Sequence, residues 1–178
     1  MTEDRQLLMD LYRGKTTAWR RIYLKYKDDL LTVAQSLVCD INTAEDCLQE
    51  VFVSLISERC KVRGNLKGYL LSCVVNRARD HLRRKDAQLN FQVNIQTQRV
   101  DVANPAEVLA DSDQMRAIIQ TLGKLPIEQR EVIVLHLQGN LKFRQIAEML
   151  DISINTAQSR YRYGMEKLRQ LLTKKETI

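Results

Sequence analysis

Residues 125–172 read LPIEQREVIVLHLQGNLKFRQIAEMLDISINTAQSRYRYGMEKLRQLL, and the fold class follows from their spacing. Leu125-Pro126 opens a helix carrying Ile127, Val132, Ile133, Val134, Leu135 and Leu137, and Gly139-Asn140 closes it. Phe143, Ile146, Ala147 and Leu150 mark a shorter helix, and Asp151-Ile152-Ser153 forms a tight turn. A last helix then sets Ala157, Tyr161, Met165, Leu168 and Leu172 on one apolar stripe. Two short helices joined by such a turn describe a helix-turn-helix. Asn155, Thr156, Gln158, Ser159, Arg160 and Arg162 point away from the stripe, and Lys142 and Arg144 add cations at the start of the first helix. Side chains of this kind reach base edges in a major groove, Arg to guanine and Gln or Asn to adenine. A plain helical hairpin has the same periodicity, so spacing alone leaves DNA binding and simple packing both open. Gly164 inside the helix and Asp151 in the turn depart from the usual pattern.

One further helix precedes this group, marked by Met115, Ile118, Ile119 and Leu122 and ended by Gly123. Upstream of it, DAQLNFQVNIQTQRVDVANPAEVLA (86–110) is rich in Gln and Asn and poor in charge. Leu89, Phe91, Val93 and Ile95 alternate with polar residues as in a strand, yet no second strand is visible to pair with it. The segment reads as an extended linker, with helix restarting at Asn104-Pro105-Ala106-Glu107. Before the linker, Trp19, Ile22, Tyr23, Tyr26, Leu30, Val33, Leu37 and Val38 recur at helical spacing. A shorter helix with Leu7, Leu8 and Leu11 precedes them, broken at Gly14. Asn42 and Glu45 predict a capping box for the next helix, which buries Ala44, Cys47, Leu48, Val51, Phe52 and Leu55. The basic stretch ERCKVRGNLKG (58–68) reads as a loop, and a helix follows from about Leu66 to Arg84. The expected fold is therefore all-α: a helical unit at 1–86, an extended linker at 87–110 and a helix-turn-helix unit at 111–178.

Composition agrees with that class. The chain of 178 residues has only 6 Gly and 2 Pro, too few for the regular turns of a sandwich or barrel. No run approaches the roughly 18 apolar residues of a membrane span, and the acidic start MTEDRQLL is unlike a signal peptide, so a cytoplasmic protein without membrane insertion is expected. The net charge of +6 is unevenly placed. Residues 28–58 hold seven acids (Asp28, Asp29, Asp40, Glu45, Asp46, Glu50, Glu58) and no Lys or Arg. Residues 59–85 hold nine bases (Arg59, Lys61, Arg63, Lys67, Arg77, Arg79, Arg83, Arg84, Lys85) and the single acid Asp80. Adjacent blocks of opposite sign imply two partners, one basic and one anionic.

Catalytic chemistry finds little support. Gly14-Lys15-Thr16 resembles the end of a phosphate loop, but Met9 stands where the first glycine of GxxxxGK(S/T) belongs and no strand precedes it. Cys39, Cys47, Cys60 and Cys73 lack the close pairing of a zinc site, and His81 and His136 stand apart. Reduced, mostly buried thiols are expected, with no metal, cofactor or catalytic residue.

The motifs taken together resemble a known family. NTAEDCLQEVFVSLI (42–56) looks like the DAEDxxQExF signature of bacterial RNA polymerase sigma factors of the extracytoplasmic-function group. LKGYLLSCVVNRARDHLRR (66–84) resembles that group's WLxxIAxNxxxDxxRR segment, with Tyr69 in place of Trp. Residues 122–172 resemble its C-terminal promoter-reading domain, with Gln145, Asn155, Ala157 and Gln158 in place of the usual Glu, Gly, Val and Lys. The resemblance implies a transcription initiation factor rather than an enzyme. Its expected partners are the clamp coiled-coil and flap of core polymerase, promoter DNA as single and double strand, and an anti-sigma protein as antagonist. Carried over by position, Asp46, Gln49 and Glu50 would meet the clamp, where opposite charge steers docking. Arg59, Lys61, Arg63, Lys67, Asn76, Arg77, Asp80, Arg83 and Arg84 would hold the melted non-template strand. Lys142, Arg144, Asn155, Thr156, Gln158, Ser159, Arg160 and Arg162 would read the upstream duplex element. A stand-alone DNA-binding regulator and a protein-binding helical adaptor are the alternatives.

Overall fold

A computed structural model describes residues 3–57, 62, 65–93 and 113–173, all helix or connecting turn. Eight helices follow in order: α1 (Glu3–Tyr12), α2 (Thr16–Val38), α3 (Ile41–Ser57), α4 (Leu66–Val93), α5 (Asp113–Gly123), α6 (Ile127–Leu137), α7 (Phe143–Leu150) and α8 (Ile154–Thr173). In the N-terminal unit α2 is the centre, with α1, α3 and α4 all packed on it. Its stripe of Ile22, Leu30, Val33 and Leu37 is fully buried against Cys47 and Val51 of α3 and Leu70, Leu71 and Val74 of α4. α1 is tied down at its polar edge, where Lys25 reaches Glu3 and Asp4, both at 2.8 Å, and the Tyr26 hydroxyl donates to Asp4 at 2.8 Å.

Two boundaries differ from the sequence expectation. α3 is capped by Asp40, not by Asn42 with Glu45: the Asp40 carboxylate accepts from the Thr43 amide at 2.7 Å and the Thr43 hydroxyl at 2.6 Å. That arrangement is possible because Cys39 ends α2 in the left-handed region (φ 59°), turning the chain so that Asp40 faces the first turn of α3. The second difference is at α4, which continues past Arg84 to Val93, so the strand-like alternation of Leu89, Phe91 and Val93 lies on a helix. Lys85 to Val93 contains no Gly or Pro, and each residue added to an existing helix costs far less than nucleating one, so propagation wins over these three alternating apolar residues. The rest of the expected linker, including Asn104-Pro105-Ala106-Glu107, lies outside the described residues.

The C-terminal unit is built round α6, whose Val132, Ile133, Val134 and Leu135 are buried on successive sides. His136 stacks on Phe143 (centroids 4.4 Å apart) and meets the edge of Tyr161 (5.0 Å), which fastens α6 to α7 and α8. The turn is made as expected: Asp151 takes φ 54°, ψ 50°, a left-handed conformation that Asp tolerates better than most residues. Gly164 is explained by packing, since a Cβ there would lie 2.7 Å from Ile133 Cδ1 and 3.1 Å from Gln129 Cβ. Leu171, with Tyr161, Met165 and Leu168, continues the inward stripe in place of Leu172.

The two units are not independent beads. α5 and α6 pack against α2, and one continuous hydrophobic core runs through both.

Candidate functional site

On α3 the spacing that buries Cys47, Leu48 and Val51 leaves Asp46 and Gln49 exposed and Glu50 half-buried on the opposite side. Val53, 63% exposed, lies beside them, and these four residues with Ser54 and Arg77 line one shallow cleft. Positions 46, 49, 50 and 53 share one helical face, so that spacing was the available signal for Val53, which the sequence reading missed. Under this face Cys47 is inert: burial, then the neighbouring Glu50 and Asp46, pushes its thiol up to about 11. Cys39 and Cys47 are free thiols, and among the described residues no cluster of His, Cys, Asp or Glu could hold a metal.

The acidic and basic faces meet rather than standing apart. Glu50 lies 3.4 Å from Arg77 Nε and 3.4 Å from His81 Nε2, while Arg77 also donates to the Ser54 hydroxyl at 3.1 Å. Asn76 and Arg84 are exposed. Arg83 is held by Asp80 at 2.6 Å, and Lys67 reaches Asp29 on α2 at 2.7 Å. Several of the cations assigned to the melted strand are thus paired with carboxylates across exposed, exchangeable contacts. Arg59, Lys61 and Arg63 lie outside the described residues.

At the helix-turn-helix, Ser153 caps α8 by accepting from the Thr156 amide at 3.0 Å, and its hydroxyl lies 2.8 Å from that of Thr156. Thr156 is therefore half-buried and engaged in the cap, whereas Asn155 and Gln158 are exposed. Gln145 accepts from the Lys142 amide at 2.9 Å, closing the first turn of α7 as a Glu would. Arg144 pairs with Glu148 at 3.3 Å, and Arg162 lies over the Tyr163 ring at 5.0 Å. Ser159 and Arg160 are half-exposed on the same outward side.

A third cluster, invisible in the sequence, joins the two units. Glu131 of α6 is 1% exposed and takes both Nε and Nη2 of Arg79 on α4, at 2.5 and 2.6 Å. The Glu131 hydrogen bonds raise the Arg79 pKa further above its usual value. Next to it Arg130, 8% exposed, donates to the carbonyl of Leu37 at the end of α2, and to those of Gly123 and Leu125 in its own unit. Cys39 Sγ lies 3.4 Å from the Ile119 carbonyl.

The family model for Sigma-70 region 2 matches residues 22–88, and that for Sigma-70, region 4 matches residues 115–168. RNA polymerase sigma factor CarQ of Myxococcus xanthus is 28% identical over 92% of this chain and 95% of its own length. ECF RNA polymerase sigma factor SigW of Bacillus subtilis is 27% identical over 90% and 91%. Among solved structures, the sigma factor RpoE in complex with the anti-sigma factor NepR from Bartonella quintana superposes with a TM-score of 0.68 at 20% identity, covering 86% of this chain and 96% of that one. CnrH in complex with the cytosolic domain of CnrY gives 0.68 at 22%, covering 96% and 97%.

Proposed function

As this chain belongs to the extracytoplasmic-function group of sigma-70 factors, and so directs RNA polymerase to promoters, we propose a division of that task among its surfaces. The N-terminal unit, 1–86 with α4 continuing to Val93, docks on core polymerase and helps melt the promoter. The unit from 111 to 178 reads the duplex upstream, and the segment between them is the tether.

One observation carries this reading: on adjacent helices α3 and α4, an acidic face and a basic face are presented to solvent side by side. Asp46, Gln49 and Glu50, with Val53 as an apolar anchor beside them, suit a basic coiled-coil of the polymerase clamp. Lys67, Asn76, Arg77, Asp80, Arg83 and Arg84 suit one unpaired strand, with Arg59, Lys61 and Arg63 of the neighbouring loop continuing the positive path. Capturing flipped bases offsets the cost of unpairing them, so opening is driven by binding and needs no catalysis. In the duplex-reading unit Asn155, Gln158, Ser159, Arg160 and Arg162 contact the groove, with Lys142 and Arg144 near phosphate. Thr156 contributes chiefly by fixing the start of α8. The place of action is the cytoplasm, where core polymerase works. An antagonist of the anti-sigma type is a further proposed partner, as NepR is for RpoE.

Run-off transcription with bacterial core polymerase on a promoter library tests the whole reading. Transcripts should start at one class of promoter only when this chain is added. Asp46→Lys with Glu50→Lys should abolish core association while the circular-dichroism melt stays unchanged; persistence of core binding would show the docking face to be elsewhere.

A further inference from the structure

We propose that the Arg79–Glu131 pair is a latch in which the C-terminal unit occupies a strand-binding arginine of the N-terminal unit, so that the factor released from polymerase is closed and its melted-strand face incomplete. This rests on the strand-face reading above.

Three observations carry it. By position, Arg79 is three residues after Asn76 and four before Arg83, so it borders the stripe assigned to the melted strand. Its side chain remains 39% exposed although it meets a buried carboxylate, so part of it is open to a ligand arriving along that stripe. The group it meets is a carboxylate offering two oxygens to two N–H donors, the geometry in which a guanidinium also holds phosphate. Glu131 thus stands in for a backbone phosphate.

The junction is also built to part. Beside the apolar packing of α5 and α6 on α2, the junction holds a carboxylate 1% exposed and an arginine 8% exposed, groups that a permanent interface keeps out of its buried part. Each of these groups is satisfied again by water on opening. Arg130 gives up the Leu37 carbonyl and the Cys39 thiol and keeps Gly123 and Leu125, so the turn between α5 and α6 survives separation. The Leu37 carbonyl is in the last turn of α2, a position that hydrates readily. Nothing in the latch covers Asp46, Gln49 or the outward side chains of α8, so polymerase and duplex DNA can engage before it opens.

The test uses the full chain as wild type, Glu131→Gln, Arg79→Gln and the double variant. Small-angle X-ray scattering reports closure, and fluorescence anisotropy with a labelled single-stranded oligonucleotide reports strand affinity. Wild type should be compact and bind weakly. Glu131→Gln should enlarge the radius of gyration and tighten strand binding by about tenfold, the scale set by one charge-assisted bidentate pair. Arg79→Gln, at a half-exposed position that tolerates change, should open the molecule with no gain in affinity, and the double variant should behave like it. The charge swap Arg79→Glu with Glu131→Arg should close the molecule again. A radius unchanged in both single variants overturns the latch. Opening with affinity for the strand that does not depend on Arg79 overturns its role in strand binding. If the open variants and wild type all fail to bind single strand, the strand-face reading itself falls while the closure measurement still stands.

Discussion

Single residues show where local rules hold and where packing overrides them. Asp151 sits in the left-handed region, which costs an ordinary side chain about 1–2 kcal/mol. Asp151→Gly should therefore leave the melting temperature unchanged or raised, and Asp151→Ala should lower stability by about 1 kcal/mol in a urea titration. Gly164 looked out of place in a helix because its reason lies on α6, more than two dozen residues earlier. Gly164→Val would push into Ile133 and Gln129, and overpacking of that kind costs about 1–3 kcal/mol, read in the same titration. Arg160 is the residue by which to judge base reading. Arg160→Ala should weaken binding to the upstream element by about 1–3 kcal/mol and relax preference at one base pair, whereas an equal loss on every sequence would assign it to phosphate.

At the scale of elements, periodicity made nearly every described helix legible, because each has one stripe facing one core. What it could not supply was ends. The α3 cap fell to Asp40 because Cys39 reverses the chain, and a backbone angle leaves no mark on composition. Asp40→Ala should cost about 0.5–2 kcal/mol, the range for loss of an N-cap, with core association falling only in proportion. The seam between α1 and α2 is sensitive to acid. Burial alone would raise the Asp4 pKa, but the hydrogen bonds from Lys25 and Tyr26 outweigh it and hold Asp4 below its usual 3.8. A depressed carboxylate stabilises the fold above its unfolded pKa, and that contribution is lost as pH falls through the folded value. Trp19, the sole tryptophan, lines the groove between the end of α1 and the start of α2 with Leu11 and Tyr12. Its emission should change in a transition below pH 4 that Asp4→Asn removes.

For the whole molecule, the assignment to two helical units was legible in the order of motifs, but their mutual packing was not. Arg79 and Glu131 lie 52 positions apart. Glu131 follows Arg130 and precedes a run of valine and isoleucine, so it reads as an ordinary surface acid on an otherwise buried helix. In the folded chain both charged residues face inward, one toward α4 and the other toward the end of α2. The positive path on the N-terminal unit should make strand affinity fall steeply with salt, each phosphate contact adding about 0.7 to the slope on single strands. Loss of affinity that ignores salt would speak against phosphate contact.

The added length of α4 has a kinetic corollary. From Val93, the last described residue of α4, to Asp113, the first of α5, 113 − 93 = 20 peptide steps join the two units. At roughly 3.5 Å per step they span at most about 70 Å, enough for two turns of duplex. On so short a leash Glu131 returns to Arg79 at an effective concentration on the order of millimolar, whatever the number of molecules in the cell. Dilution therefore does not free the arginine; a nucleic acid already lodged beside it does, by outcompeting a rival that never diffuses away.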